Sequence, residues 1–301
     1  MLVLGLLGGT AAAFVLTQNL KGQPSPVAGQ SPSTPAFSPV CRCSKREVLI
    51  SFRLRRPDRL TLLVVDGDGD VVRRLAEARQ TRAGPRSYRW DGRDDAGRIV
   101  AEGSYRPRVE LDAADRSIVL PNPIRVDVTV PRIRLEQVAP RTISPDGDRR
   151  GDLAVLHYRV NERAHAVLFV EGRRHQFGKY QRLRDRVEWN GNLDGKLPPG
   201  TYRLTLRAED TAGNLSPATR AVPITIRYIA LARPPTPVRA RRRFDVGVET
   251  DARSYRWRFA GREGRSSRAR LELRAPRPGR YALAVSARGH ADRTVVVVRA
   301  A

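Results

Sequence analysis

Two aspartate-rich runs have the spacing of a binding site. Asp66-Gly67-Asp68-Gly69-Asp70 carries the alternating carboxylates of a calcium loop, and Glu77 falls at its twelfth position. Such a loop needs a glycine where Val71 stands, and helices where the flanks alternate apolar and polar, so a hairpin turn is the better reading. Asp146-Gly147-Asp148 with Asp152 is the stronger calcium candidate, because an ion would order the loop that opens a repeat. Inside it, Arg150-Gly151-Asp152 spells an adhesion tripeptide, but three residues recur by chance and Asp152 leads toward a strand. His157, His165 and His175 lack the close pairing or carboxylate partner of a metal site and suit surface or turn positions. Cys41 and Cys43 sit too close in sequence for an easy intrachain bridge, and no second cysteine or histidine pair completes a zinc pattern. Unbridged or locally oxidised thiols are the expectation for this pair, with intermolecular pairing near a membrane as the alternative.

Catalysis would need a nucleophile beside a base, paired carboxylates in a cleft, or a glycine loop that cradles phosphate. The chain has no Gly-x-Ser-x-Gly, no His-Glu-x-x-His and no cysteine–histidine setting of that kind. A single methionine and 6% aromatic residues disfavour a greasy ligand pocket. The expectation is a protein that is not an enzyme, with no catalytic residue and no cofactor.

The formal charge of +25 comes almost wholly from arginine: of 56 basic residues only Lys21, Lys45, Lys179 and Lys196 are lysine. A GC-rich genome and an ordinary surface account for much of that bias. The distribution is uneven, however. From Arg233 to Ala301 there are 18 arginines against six acids, so contact with a polyanion, if the chain makes any, is expected here. Arg239, Arg241, Arg242 and Arg243 are the candidate contacts, able to make charge-assisted hydrogen bonds to acidic wall polymers or a protein partner. Nucleic acid is disfavoured by the export signal and by the lack of aromatic residues interleaved with basic ones on one surface.

The elements that must hold these residues read as strands. The run Met1 to Leu16 is uncharged and rich in Leu, Gly and Ala, at the short end for a membrane-spanning helix. An uncleaved anchor over 1–20 is favoured over a cleaved signal, although Ala11-Ala12-Ala13 offers a processing site. No basic segment precedes the run, which is consistent with a start upstream of Met1. Residues 21–44, with Pro24, Pro26, Pro32, Pro35 and Pro39, read as a flexible linker that holds the folded part off the bilayer. Beyond it, Trp90-Asp91-Gly92 with Asp95 and Gly97 leads to Gly103-Ser104-Tyr105. A hundred residues later, Trp189-Asn190-Gly191 leads to Gly200-Thr201-Tyr202. Asp-Gly and Asn-Gly tolerate the positive φ of tight turns, and tryptophan supplies a large buried area. Strict alternation follows each Gly-x-Tyr, as in Tyr202, Leu204, Leu206 and Ala208, and it recurs after Gly279-Arg280-Tyr281. Prolines at Pro131 and at Pro234, Pro235 and Pro237 mark joints. These features predict an all-β chain of three tandem immunoglobulin- or fibronectin-III-like β-sandwich domains over 45–130, 131–230 and a basic 236–301, following the amino-terminal transmembrane or signal helix.

The first repeat, Trp90 to Arg98 with Gly103-Ser104-Tyr105, resembles the Ig-like domain of the flagellar hook-capping protein, a module also found in many secreted bacterial proteins. The likeness covers about residues 45–129, more loosely 140–228, and only the strand pattern beyond. It implies a two-sheet sandwich with an assembly or tethering role and brings no catalytic residue. This chain departs from the hook-capping family by its apolar amino terminus and by lacking that family's amino-terminal assembly region. The expected function is therefore a membrane-anchored, extracytoplasmic repeat protein with a structural, adhesion or envelope-scaffold role. The alternatives are a polyanion or nucleic-acid binder, and a hook-capping-like assembly factor or accessory module of a secreted hydrolase. The expected partners are the membrane, through the amino-terminal segment, and acidic wall polymers or another envelope protein; the sequence does not specify the oligomeric state.

Overall fold

A computed structural model describes residues 24–300, so the anchor or signal expected over 1–20 lies outside the described residues. The described chain is all-β, and no described helix is long and apolar enough to cross a membrane. Its contacts divide it into two compact units: Met1–Val130 with Thr211–Asn214, and Pro131–Asp210 with Leu215–Ala301.

The first unit contains β1 (Val27–Pro32), β2 (Ala36–Phe37), β3 (Val48–Leu54), β4 (Asp58–Val65), β5 (Val71–Thr81), β6 (Gly84–Trp90), β7 (Gly103–Leu111), β8 (Arg116–Val119) and β9 (Ile124–Val126). They form one sheet in the order β1-β3-β6 and a second in the order β2-β9-β7-β4-β5, with β8 also on β7. The period of two explains which faces meet: Val48, Ile50, Phe52 and Leu54 are buried, while Leu49 and Arg53 between them are exposed. Together with Leu60, Leu62, Trp90, Tyr105, Val109 and Ile124 they make a single core.

The second unit contains two such sheet pairs. The middle pair uses β10 (Ile133–Ala139), β11 (Thr142–Ile143), β12 (Ala154–Val160), β13 (Ala164–Val170), β14 (Arg173–Phe177), β15 (Arg184–Trp189), β16 (Gly200–Asp210) and β17 (Val222–Ile226). The carboxy-terminal pair uses β18 (Ile229–Leu231), β19 (Val238–Arg239), β20 (Arg243–Thr250), β21 (Tyr255–Phe259), β22 (Arg262–Ser266), β23 (Arg270–Arg274), β24 (Gly279–Ala287) and β25 (His290–Arg299). Their sheets run β10-β12-β15 against β11-β17-β16-β13-β14, and β18-β20-β23 against β19-β25-β24-β21-β22. Each pair has its own hydrophobic cluster, centred on Trp189, Leu156 and Leu206 in one and on Phe259, Leu283 and Val296 in the other.

One feature recurs in all three pairs. The leading strand is split, so that its first piece joins the three-stranded sheet antiparallel and its second joins the larger sheet in parallel. The pairings are β1 with β3 and β2 with β9, β10 with β12 and β11 with β17, and β18 with β20 and β19 with β25. The flexible linker expected over 21–44 is corrected by this arrangement. Its prolines and serines hide β1 and β2, and Val27 and Phe37 are buried in the first core. Proline is tolerated there because β1 and β2 each lie at the margin of a sheet, where a missing N–H costs little.

The expectation for the cysteines is corrected as well. Cys41 and Cys43 form a disulfide with Cα atoms 5.3 Å apart, inside the range such bonds require. A tight turn makes the short spacing workable: Cys41 N–H donates to the Ser38 carbonyl at 3.2 Å and Ser38 N–H to that of Lys45 at 3.0 Å. The Asp66–Asp70 run is the β4–β5 turn, closed by donation from Asp66 N–H to the Asp70 carbonyl at 3.0 Å, while Asp66 Oδ1 accepts from the N–H groups of Asp68 and Asp70.

Two measurements test this framework. Trp90→Ala and Trp189→Ala should each cost about 3–5 kcal/mol in urea unfolding, and Trp257→Ala, half-buried at its core's edge, distinctly less. Equal losses at the three positions would contradict the core assignment. Glu102 accepts hydrogen bonds from Thr129 Oγ1 at 2.8 Å and Val128 N–H at 2.7 Å, and these hold its carboxyl below the usual carboxylate range. Its stabilising contribution is therefore complete above the unfolded-state pKa and lost as pH falls through the lowered native value. Glu102→Gln is expected to flatten the acid-side fall in hydrogen-exchange protection of β9. An unchanged profile would remove Glu102 from the account.

Candidate functional site

The repeated tryptophan motif builds a corner. Trp90 ends β6, and its indole N–H donates to the Arg93 carbonyl at 3.1 Å across the turn that contains Asp91 and Gly92. Trp189 ends β15 and donates likewise to the Asn192 carbonyl at 2.9 Å. Gly92 and Gly191 have φ near +73° and +77°, and a Cβ on either would come within 3.0 Å of a proline, Pro39 or Pro145. Asp95 Oδ1 accepts from Arg74 N–H at 2.9 Å, and Gly97 N–H donates to the Asp94 carbonyl, closing the second turn.

The Gly-x-Tyr motif completes each corner. Tyr105, Tyr202 and Tyr281 each donate a phenolic O–H to the carbonyl four residues earlier, at Ala101, Pro198 and Arg277, over 2.7, 2.8 and 3.0 Å. The ring lies over the glycine two residues before it at Gly200 and Gly279, and only at Gly279, with φ +156°, would an added Cβ come as close as 3.3 Å to the tyrosine. Tyr105 and Tyr202 then meet their tryptophans edge to face, with ring centroids 5.2 and 6.0 Å apart. These are structural groups, and every polar atom named here has a partner.

The acidic loop is different. Asp146, Asp148 and Asp152 come together with one oxygen of each within 4.8 Å of the others, the one grouping of this kind among the described residues. Asp152 turns into its own loop and accepts from the N–H groups of Arg149 and Gly147 at 2.7 and 3.0 Å, which withdraws it from any Arg-Gly-Asp presentation. Asp146 and Asp148, with side chains only 8% and 6% exposed, face a cation that the chain itself supplies. Arg288 Nε lies 3.2 Å from Asp146 and its Nη2 3.1 Å from Asp148. Arg288 occupies the β24–β25 turn, so it reaches from the carboxy-terminal sheet pair into the middle one. Burial pushes the Asp146 carboxyl up, and the Asp148 and Asp251 charges add to that. The Asp148 N–H and the Arg288 guanidinium oppose it.

The same joint stacks the Tyr228 and His290 rings at 3.5 Å, nearly parallel, and hydrogen-bonds Ser144 Oγ to Asp251. A calcium ion ligated by all three loop carboxylates would have to displace Arg288, since six to eight oxygens are needed and two of the carboxylates already hold the guanidinium. No sequence pattern flagged Arg288, because its partners lie 140 residues away. His157 stands on β12 in one sheet and His165 and His175 on β13 and β14 in the other. His165 is occupied with the Gly178 carbonyl at 2.7 Å.

The arginines singled out by sequence do not converge. Arg239 lies on β19 in the larger sheet and Arg243 on β20 in the smaller, with Arg241 and Arg242 in the turn between. All four are exposed, and Arg243 is paired with Glu272 at 2.7 Å.

Sheet pairs with split leading strands and these clamped corners make the described chain an all-β protein of immunoglobulin-like sandwiches. More specifically, residues 44–115 match the FlgD Ig-like domain family. No curated protein matches the chain. Among solved structures it is similar to a three-Ig fragment of titin, domains I67–I69, at 12% identity over 93% of this chain and 100% of that one, with a TM-score of 0.31. A calcium-stabilised adhesin of an Antarctic bacterium that binds ice is similar at 12% identity, over 91% of this chain and 75% of that one, with a TM-score of 0.26. The BSP domain of a biofilm-associated protein is similar at 15% identity over 67% and 29% of the two chains, with a TM-score of 0.22.

Arg288→Ala should lower the stability of the second unit by about 2 kcal/mol. This is less than for a fully buried pair, because the arginine itself is half-exposed, but the change leaves two carboxylates shielded from water without their cation. Arg288→Lys keeps the charge and loses the fork, so its loss should be smaller. Urea unfolding of the full chain checks the order. Millimolar calcium is expected to leave the wild-type midpoint unchanged, and a rise would show that the ion does win over the guanidinium.

Proposed function

We propose that the protein is a membrane-anchored, extracytoplasmic array of three Ig-like modules with a structural, adhesive or scaffolding role in the cell envelope, and that it is not an enzyme. The observation that carries this reading is that three successive sheet pairs, each with its own core, fill residues 24–300 behind an uncharged apolar run at Met1 to Leu16. Such modules act by presenting surfaces, and non-covalent contact through sheet faces and loops is the mechanism this architecture favours. The Cys41–Cys43 bridge supports export, because disulfides persist in oxidising compartments. The match over residues 44–115 supports an assembly or tethering role without requiring flagella.

A second reading, contact with an acidic polymer, is favoured by the arginine excess of the last sheet pair. Nucleic acid fits an exported protein poorly.

The test is fractionation of cells that express the full chain, with external protease and amino-terminal sequencing of the recovered form. Intact protein in the membrane fraction, degraded by added protease, is the expected result. Cleavage near Ala13 would replace the anchor by secretion, and a protease-protected cytoplasmic protein would overturn the reading.

A further inference from the structure

The β-sheet period sorts the arginines of the carboxy-terminal sheet pair in a way the sequence does not display. On the smaller sheet, the outward positions of β20 and β23 mix signs: Arg243 pairs across with Arg274, Asp245 with Glu272, and Gly247 with Arg270. On the larger sheet, Leu283, Val285, Val296 and Val298 face the core, so their neighbours face out. Register then places Arg265, Arg256, Ser286 and Ala291 in one row, and Glu263, Arg258, Ala284 and Arg293 in the next. Ala282 and Val295, then Arg280 and Val297, and finally Arg299 beside Arg239 continue the face. Seven arginines therefore share this face with one acid, Glu263, which is paired with Arg258 at 3.3 Å.

Its relief matters as much as its charge. Ala282, Ala284, Ser286 and Ala291 form a strip of short side chains along β24 and the near end of β25. Arg256 and Arg258 stand on one side and Arg293 on the other, about two strand spacings or ~10 Å apart. At one end the strip opens into a depression of about 520 Å³ lined by Arg253, Arg256, Arg265, Ser286, His290 and Ala291, among others. No aromatic ring projects from the face, so it offers no platform for stacked bases. A bilayer plane or a duplex would meet only the arginine tips, whereas a single linear chain can lie along the strip. Guanidinium forks on both sides would then grip its anionic groups in a bidentate way.

We propose that the outer face of β19-β25-β24-β21-β22 is a docking surface for a linear acidic polysaccharide. The inference deepens the acidic-polymer reading above and depends on it. It assigns the contact to Arg256, Arg258, Arg265 and Arg293, in place of Arg241 and Arg242 in the β19–β20 turn and Arg243 at the start of β20.

Binding of the full chain to polyuronate, measured by biolayer interferometry at two salt concentrations, tests it. The triple variant Arg256→Gln/Arg258→Gln/Arg293→Gln should weaken binding by about tenfold or more. The charge-matched variant Arg241→Gln/Arg242→Gln/Arg243→Gln should lose less than about threefold, the share that long-range charge alone supplies. All six side chains are exposed, so both variants should keep the wild-type near-ultraviolet circular dichroism. Equal losses in the two variants would show general charge attraction and overturn the face, as would a loss confined to the turn variant, although acidic-polymer binding would survive in both cases. No wild-type binding to polyuronate would remove the polymer reading together with the face. Tighter binding to oligo(dT) or to phosphatidylglycerol vesicles, sensitive to the face variant, would reassign the face to another partner and overturn the proposal.

Discussion

Burying a tryptophan N–H without a partner is costly, and the corner architecture of this chain follows from how that cost is avoided. Trp90 and Trp189 are fully buried, and each indole finds its acceptor three residues on, at Arg93 and Asn192. That short reach forces a sharp turn, the turn forces a glycine at Gly92 or Gly191, and the glycine permits Pro39 or Pro145, two residues beyond the split leading strand, to pack against it. The following tyrosine closes the group edge-on and ties its own O–H to the loop between the strands. The corner thus fixes the end of one sheet, the start of the other and the position of the split leading strand at once. In the carboxy-terminal pair the tyrosine half of the device persists as Tyr281, with Phe259 where the edge-on contact is made.

Electrostatics sets the joint inside the second unit by a similar economy of parts. Asp146 and Asp148 are desolvated, and a bare pair of carboxylates there would be costly. The guanidinium of Arg288 satisfies both from the neighbouring sheet pair, adding to the hydrogen bonds that the loop makes within itself. A loop whose carboxylates are held by a residue of the next sheet pair ties the stability of one to the docking of the other. The stacked Tyr228 and His290 rings give the same contact an apolar side.

Much of the fold was legible in the residues, and the reasons differ from place to place. Asp/Asn-Gly turns, Gly-x-Tyr and strict alternation identify strands because each reflects a local constraint: a backbone angle, a ring's reach, a period of two. The split strand β1–β2 was illegible because its composition, rich in proline and serine, is that of a spacer. Only its partners β3 and β9, distant in sequence, make it a strand. The cysteine bridge is hidden from the sequence because sequence separation says little about Cα separation inside a turn. Asp146, Asp148 and Asp152 were found as a group from spacing alone. The cation that meets two of them was not, because nothing local marks Arg288.

The same limit governs the arginines. Adjacent residues in a strand point to opposite faces, and a turn sends consecutive residues to different sheets, so Arg239 and Arg243 end on different sheets although four positions apart. Conversely, Arg256, Arg265 and Arg293, scattered over 38 positions, share one face through strand register. A cluster in sequence is thus a poor guide to a cluster in space for a β protein. Charge segregation is informative once register is known: the smaller sheet balances Arg243, Arg274 and Arg270 with Asp245 and Glu272, while the larger leaves most of its arginines without a described acidic partner. Seven arginines with one acid on the larger face repel one another, and an anionic chain lying along the short side chains between them would offset that repulsion.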